Sequence, residues 1–180
     1  MTSYEDSIRT SAEHMHRLLA CRDNASTVLA KSMAQLGRPL PESVAAALLT
    51  LGNAHAPITQ ACRLWNLPHQ DFKQEIAILA RNKQKIPGWG GSFATEGEPD
   101  PVLSTFDAEF PPSLLIKRDE MTDAVWEVIG KAIYPNAALY TAMFADVLAM
   151  TPEQAPELAL CGRLPIFCWA WRENYDGSVQ

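Results

Sequence analysis

Apolar residues recur at three- and four-residue intervals along most of this chain, the spacing of helices with one buried face. Ile8, Ala12, Met15, Leu18 and Leu19 form the first stripe. Val28, Leu29, Met33 and Leu36 form the second; Asn24 before it is a capping residue, and Gly37 after it stands where a helix end takes glycine. Pro39 and Pro41 mark a turn. Residues 44–51 predict a short helix closed by Gly52, apolar nearly all round and therefore expected to be buried on both sides. A helix near 58–65 is expected to end at Asn66-Leu67-Pro68. Phe72, Ile76, Leu79 and Ala80 predict another, ending near Asn82. Residues 121–133 read as a helix with Trp126 on its apolar face, and Asn136 caps the next, which runs through Leu148. Thr151-Pro152 reads as a helix start. The last helix covers about 155–174, with a kink predicted at Pro165. Trp65, Trp126, Trp169 and Trp171 are expected in the core, Trp171 with a possible role at an interface. No stretch alternates as a strand does. The expected fold class is all-α, a single helical domain over residues 1–180.

Residues 84–113 interrupt the pattern with Pro87, Gly88, Gly90, Gly91, Gly97, Pro99, Pro101, Pro111 and Pro112. They predict one long irregular loop, and loops of that length tend to carry function.

Composition narrows the functional classes. The formal net charge is −6, with 15 Lys and Arg and no basic cluster, which argues against a nucleic-acid partner. No apolar run reaches the ~18 residues of a membrane span. The first six residues lack a signal-peptide pattern, so a cytoplasmic location is the expectation. The four cysteines, Cys21, Cys62, Cys161 and Cys168, form no Cys-x-x-Cys pair and are expected to be buried free thiols; no metal site is predicted.

Four segments carry a further pattern. They are Asn24-Ala25-Ser26-Thr27, the run from Leu49 to His55, the loop Ile86-Pro87-Gly88-Trp89-Gly90-Gly91, and Tyr134-Pro135-Asn136. Their order and spacing resemble the landmark segments of citrate synthases and citryl-CoA lyases, over roughly residues 15–175. The resemblance implies a citrate synthase-like helical fold and CoA chemistry. It places His55 at the position of a histidine that helps enolise acetyl-CoA, although Ala56-Pro57-Ile58 replaces the family's Gly-Gly-Ala. Cys21 stands for a substrate-binding histidine, Gly91 for a histidine that polarises a ketone, Val102 for a carboxylate-binding arginine, and Ala138 for the aspartate base. Ala170 replaces a further histidine, and the family's C-terminal arginine motif has no counterpart. Arg163 matches an arginine that binds a citrate carboxylate. The family's CoA-binding loop maps onto Lys85, Ile86, Pro87, Gly88, Trp89 and Gly90, with Lys83 and Lys85 placed to meet phosphates.

These residues imply a scaffold without its usual chemistry. Alanine cannot accept a proton, and loss of a positioned base typically lowers a rate by ~10²–10⁴. The leading expectation is a pseudoenzyme with a residual CoA or acyl-CoA site. An alternative is an active acyl-CoA carbon–carbon lyase or transferase of altered chemistry, using His55 and Arg163, with Glu13, Asp23 or Asp107 as a replacement acid. Another is a non-catalytic helical scaffold or interaction protein, of the kind a mobile element carries. Family helices like those at 24–36 and 44–51 pack across a two-fold axis, so a homodimer is expected, or a mixed dimer with a catalytically complete relative.

Overall fold

In the computed structural model, residues 3–22, 24–91 and 98–177 are described, apart from the side chains of 52–56. Helix α1 (Tyr4–Ala20) opens with a reciprocal cap. The Ser3 hydroxyl accepts from the Asp6 amide and the Asp6 carboxylate accepts from the Ser3 amide, each at 3.1 Å. Ile8, Ala12, Met15 and Leu19 are buried as the periodicity requires, His16 joins them, and Leu18 turns outward. Helix α2 (Ala25–Gln35) starts at Asn24, whose Oδ1 accepts from the Thr27 amide at 3.0 Å. It ends at Gly37.

Helix α3 (Leu40–Trp65) replaces the two expected helices, running through both Gly52 and Pro57. A mid-helix glycine costs about 1 kcal/mol and a proline about 3. Packing at both ends offsets this. Ala47 and Leu51 are buried with Ala30, Phe167 and Ala170, while Ile58, Ala61, Cys62 and Trp65 enter the main core. Within the single chain one side of residues 44–51 stays open, with Leu49 81% exposed. The helix enclosed on all sides is α7 (Ala137–Val147), where Ala138 through Ala145 are all buried.

Helix α4 (His69–Arg81) leads into the Pro/Gly-rich segment. Part of that segment is helical: α5 (Pro101–Ser104), a 3₁₀ turn (Asp107–Glu109), and α6 (Pro112–Ile129), which begins at Pro112 instead of Met121. Proline is well suited to the first turn of a helix, where its missing N–H would have no partner. Pro111 and Pro112 therefore start a helix where composition suggested a loop. Thr151-Pro152 opens a turn, not a helix, with Gln154 Oε1 accepting from the Thr151 amide at 2.9 Å. Helix α8 (Pro156–Asn174) follows, with Pro165 inside it.

The tryptophans and cysteines divide by environment. Trp65 is fully buried and donates to Asp146 at 2.8 Å, whereas Trp169 is 50% exposed, against its expected core position. Trp171 donates to the Arg38 carbonyl at 2.9 Å. Cys62 is buried, and burial pushes its thiol up to about 12. Cys161 and Cys168 are partly buried, and Cys21 is exposed, contrary to the buried thiol expected there.

Helix α7 packs on α1, α3 and α8, α2 packs on α3 and α8, and α4 lies on α6. Two contacts fix the arrangement. Gly162 lets α8 approach α1 so closely that a Cβ there would meet Glu13 O and His16 Cβ, each at 2.6 Å. Arg22, just after α1, grips Asp100 with two hydrogen bonds of 2.7 and 2.9 Å. Asp100 also caps α5, accepting from the Val102 amide at 2.9 Å. Burial opposes ionisation of Asp100, but Arg22 and the backbone amides outweigh it and hold the carboxyl below its ordinary range.

Gly162→Ala is expected to destabilise the fold by about 2 kcal/mol in urea denaturation. Overpacking against a fixed backbone oxygen costs ~1–3 kcal/mol, more than the ~1 kcal/mol alanine adds to helix propensity. A neutral or stabilising result would contradict the close approach. Asp100→Asn leaves Arg22 without its carboxylate and should lower stability near neutral pH by roughly 2–3 kcal/mol. In the unaltered protein the depressed carboxyl contributes fully above the unfolded value of about 3.9, and that contribution is lost as pH falls through the lower folded value. Thermal melts from pH 3 to pH 7 should show this acid-dependent component in the parent and not in the variant. Equal stability of the two proteins at pH 6 would refute the latch.

Candidate functional site

The loop at 86–91 is clasped to the segment 134–136, with Trp89 and Pro135 in an antiparallel bridge. The Gly90 amide donates to Tyr134 O at 2.8 Å, the Asn136 amide to Gly88 O at 2.9 Å, and Asn136 Nδ2 to Gly90 O at 2.6 Å. Asn136 Oδ1 meanwhile accepts from the Ala138 amide at 2.9 Å and so caps α7. Gly88 has φ +97°, and a Cβ on it would lie 3.3 Å from Leu139 Cβ. Both the backbone angle and the tight contact call for glycine.

Behind this clasp lies a cavity of about 240 Å³. Its wall draws on α1 through His16 and Leu19, on Asn24, on α3 through Leu51, Pro57 and Ile58, and on Gly90 and Gly91. Asp100 and Leu103, the 134–136 segment, Ala137 and Ala138, and Ala159 and Arg163 of α8 complete it. Segments up to 147 residues apart, as His16 and Arg163 are, thus face one space.

The polar groups on the wall are largely engaged. His16 Nε2 lies 2.9 Å from Thr141 Oγ1, and that hydroxyl directs its own proton to Ala137 O at 2.7 Å. Nε2 therefore carries a proton and donates it to Thr141. Asp100, the carboxylate among the described lining residues, is held by Arg22. The Nε of Arg163 is buried with no hydrogen-bond partner, and burial pulls its guanidinium below the ordinary arginine range. No group of three or more His, Cys, Asp or Glu suited to a metal exists among the described residues.

The sequence-predicted residues distribute around this cavity unevenly. Arg163, Ala138 and Gly91 line it; Cys21 and Val102 do not. The His55 side chain lies outside the described residues, though its backbone continues α3 between Leu51 and Pro57, both on the wall. Asp23 is also outside the described residues. Glu13 pairs with Arg17 at 3.4 Å. Asp107 is held by Arg118 at 2.6 Å and by the Tyr140 hydroxyl at 2.7 Å, beside a separate cavity of about 320 Å³.

Of the loop residues, Ile86 and Trp89 are buried in the core. Trp89 donates to Thr122 Oγ1 at 3.0 Å and packs on Phe72 with ring centroids 5.4 Å apart. Lys85 is exposed; with Pro87 it borders a third cavity of about 600 Å³ on the loop's outer side. His16 and the Arg22–Asp100 pair were not anticipated. His16 does stand one helical turn from Ala12, inside the apolar stripe, and that placement is the one signal of its burial.

The chain superposes on citryl-CoA lyase from Hydrogenobacter thermophilus with a TM-score of 0.77 at 19% identity, covering 100% of this chain and 74% of that one. It also superposes on an aspartate-to-alanine mutant of Methanosaeta concilii ATP citrate lyase in complex with (3S)-citryl-CoA. There the TM-score is 0.73 at 17% identity, over 96% of this chain and 32% of that chain. No protein-family profile and no curated protein matches the sequence. At these identities the likeness establishes architecture: the chain has the all-α, citrate synthase-like fold of citryl-CoA lyase.

Proposed function

We propose that this protein binds CoA or an acyl-CoA on a citryl-CoA lyase-like scaffold without the ordinary condensation or cleavage chemistry. One observation carries the reading. The landmark segments converge on a single cavity whose described carboxylate, Asp100, is already tied to Arg22, with Ala138 and Gly91 where the resemblance calls for a base and a histidine. A retro-Claisen step needs a base and a stabilised oxyanion. Ligand retention needs neither. The Methanosaeta concilii neighbour carries an aspartate-to-alanine substitution and still holds (3S)-citryl-CoA.

The CoA body is too large for the 240 Å³ cavity. It fits the reading that residues 85–90 act as a partition, with Gly90 on the inner cavity and Lys85 and Pro87 on the outer groove. Backbone groups and Lys85 would then make the contacts, while Ile86 and Trp89 anchor the loop from behind. The alternative of altered chemistry through His55 and Arg163 finds no free carboxylate on the described wall, where Asp100 is tied to Arg22.

A homodimer is the reading favoured by a second observation. Val28 and Leu36 of the α2 region, Leu49 of α3 and Trp169 of α8 are exposed apolar residues on three helices that pack together. Such residues are the ones a second copy would cover.

Calorimetric titration with CoA should give a micromolar Kd, about −8 kcal/mol. Lys85→Ala should weaken it roughly five- to tenfold, the effect of losing one exposed charge contact of about 1 kcal/mol. Absence of binding to CoA and to acetyl-CoA would refute the proposal. Sedimentation at micromolar concentration should report a dimer, and Leu49→Lys a shift toward monomer; a monomeric parent would refute that reading.

A further inference from the structure

The cavity of about 320 Å³ beside Asp107 adjoins the first one, and Asp100, Leu103, Tyr134 and Pro135 face both. The rest of its wall is chiefly α6, through Arg118, Asp119, Thr122, Asp123 and Trp126, with Tyr140 of α7 opposite in sequence. Apart from Tyr134 and Pro135, none of the landmark residues lies on it. Its volume is about twice the ~150 Å³ that holds benzene, so a small organic molecule fits.

This wall already seats one organic cation on a ring and on carboxylates. The Arg118 guanidinium donates to Asp107 at 2.6 Å and to Asp119 at 2.8 Å, and its carbon lies 5.9 Å from the Tyr140 ring centroid. At that separation the ring quadrupole attracts a cation. The same pairing of carboxylate and ring recurs farther along α6. Asp123 and Trp126 stand three residues apart, hence on one face of the helix, and Tyr134 meets Trp126 edge-on with ring centroids 5.3 Å apart. Asp123 is exposed and forms no ion pair or hydrogen bond among the described residues.

The donors on this wall are spent, which bears on the sign of the ligand independently of the carboxylates. Arg118 is committed to Asp107 and Asp119, the Trp126 indole N–H to Ile133 O at 2.6 Å, the Thr122 hydroxyl to Arg118 O at 2.8 Å, and the Tyr140 hydroxyl to Asp107 at 2.7 Å. An anion would find these donors taken and would face Asp100, Asp107, Asp119 and Asp123. A cation needs only carboxylate oxygens and ring faces. Among the described residues no three of His, Cys, Asp and Glu are grouped to hold a metal ion, so the fitting cation is organic.

We infer that this second cavity binds a small organic cation, an ammonium or quaternary ammonium compound, with its charge set against Asp123 and with Trp126 and Tyr134 supplying aromatic surface. The site is independent of the CoA reading, which rests on Lys85 and the outer side of the 86–91 loop, and it is tested with no CoA present.

Choline is titrated into the unaltered protein while the tryptophan indole N–H signals are followed by NMR, the Trp126 signal being assigned from Trp126→Phe. Dimethylbutanol, the uncharged carbon isostere of choline, is titrated in parallel. Choline should shift the Trp126 signal saturably with a Kd of about 1 mM or tighter, as a partly exposed cation–π contact with one carboxylate allows. Dimethylbutanol should bind at least tenfold more weakly. Asp123→Asn, at an exposed position, should weaken choline binding roughly fivefold, the effect of one exposed charge contact. The assignment is overturned by choline leaving the Trp126 signal unmoved, by the alcohol binding as tightly as choline, or by Asp123→Asn binding choline like the parent. The comparison of choline with its isostere needs no variant.

Discussion

The site depends on the side chain and backbone of Asn136. Its backbone amide holds Gly88, its Nδ2 holds Gly90, and its Oδ1 caps α7. The irregular, glycine-containing loop at 86–91 has one backbone hydrogen bond of its own among the described residues, from the Trp89 amide to Ile86 O at 3.1 Å. It gains order here from α7, the helix buried all round at the centre of the fold. The loop in turn forms one wall of the inner cavity and one edge of the outer groove. Trp89 secures it from behind through Phe72 and Thr122. Rigid core and functional surface are thus joined by a few polar contacts, whose neutral hydrogen bonds are each worth ~1 kcal/mol net.

Carbon–carbon chemistry on thioesters needs an acceptor for the α-proton and donors for the developing oxyanion. In the inner cavity the described carboxylate is occupied by Arg22, His16 Nε2 is committed to Thr141, and Ala138 supplies only a methyl group.

Cap signals in the sequence held at four helix ends and failed at Thr151, which opens a turn. Asn24, Gly37, Asn82 and Asn136 bound helices as their chemistry predicts. Breaker residues misled in both directions. Gly52 and Pro57 suggested a break that tertiary burial at both ends of α3 overrides, and Pro111-Pro112 suggested a loop where a helix begins. The landmark motifs located the cavity because each is tied to a turn or a helix start that fixes its place in the fold. Burial of His16, the Arg22–Asp100 latch and the buried Nε of Arg163 were not legible. Each depends on which residue of a distant segment comes to lie opposite, as with Asp100, 78 residues from Arg22.

The central claim is that the scaffold persists while proton abstraction does not. Its most direct test follows acetyl-CoA in D₂O by NMR with the protein present and absent, alongside CoA release from (3S)-citryl-CoA. The account predicts methyl-proton exchange and thioester cleavage at the buffer rate, under conditions where calorimetry shows the thioester bound. Exchange or cleavage well above that rate, at stoichiometric protein, would contradict it and point to a working base on the cavity wall.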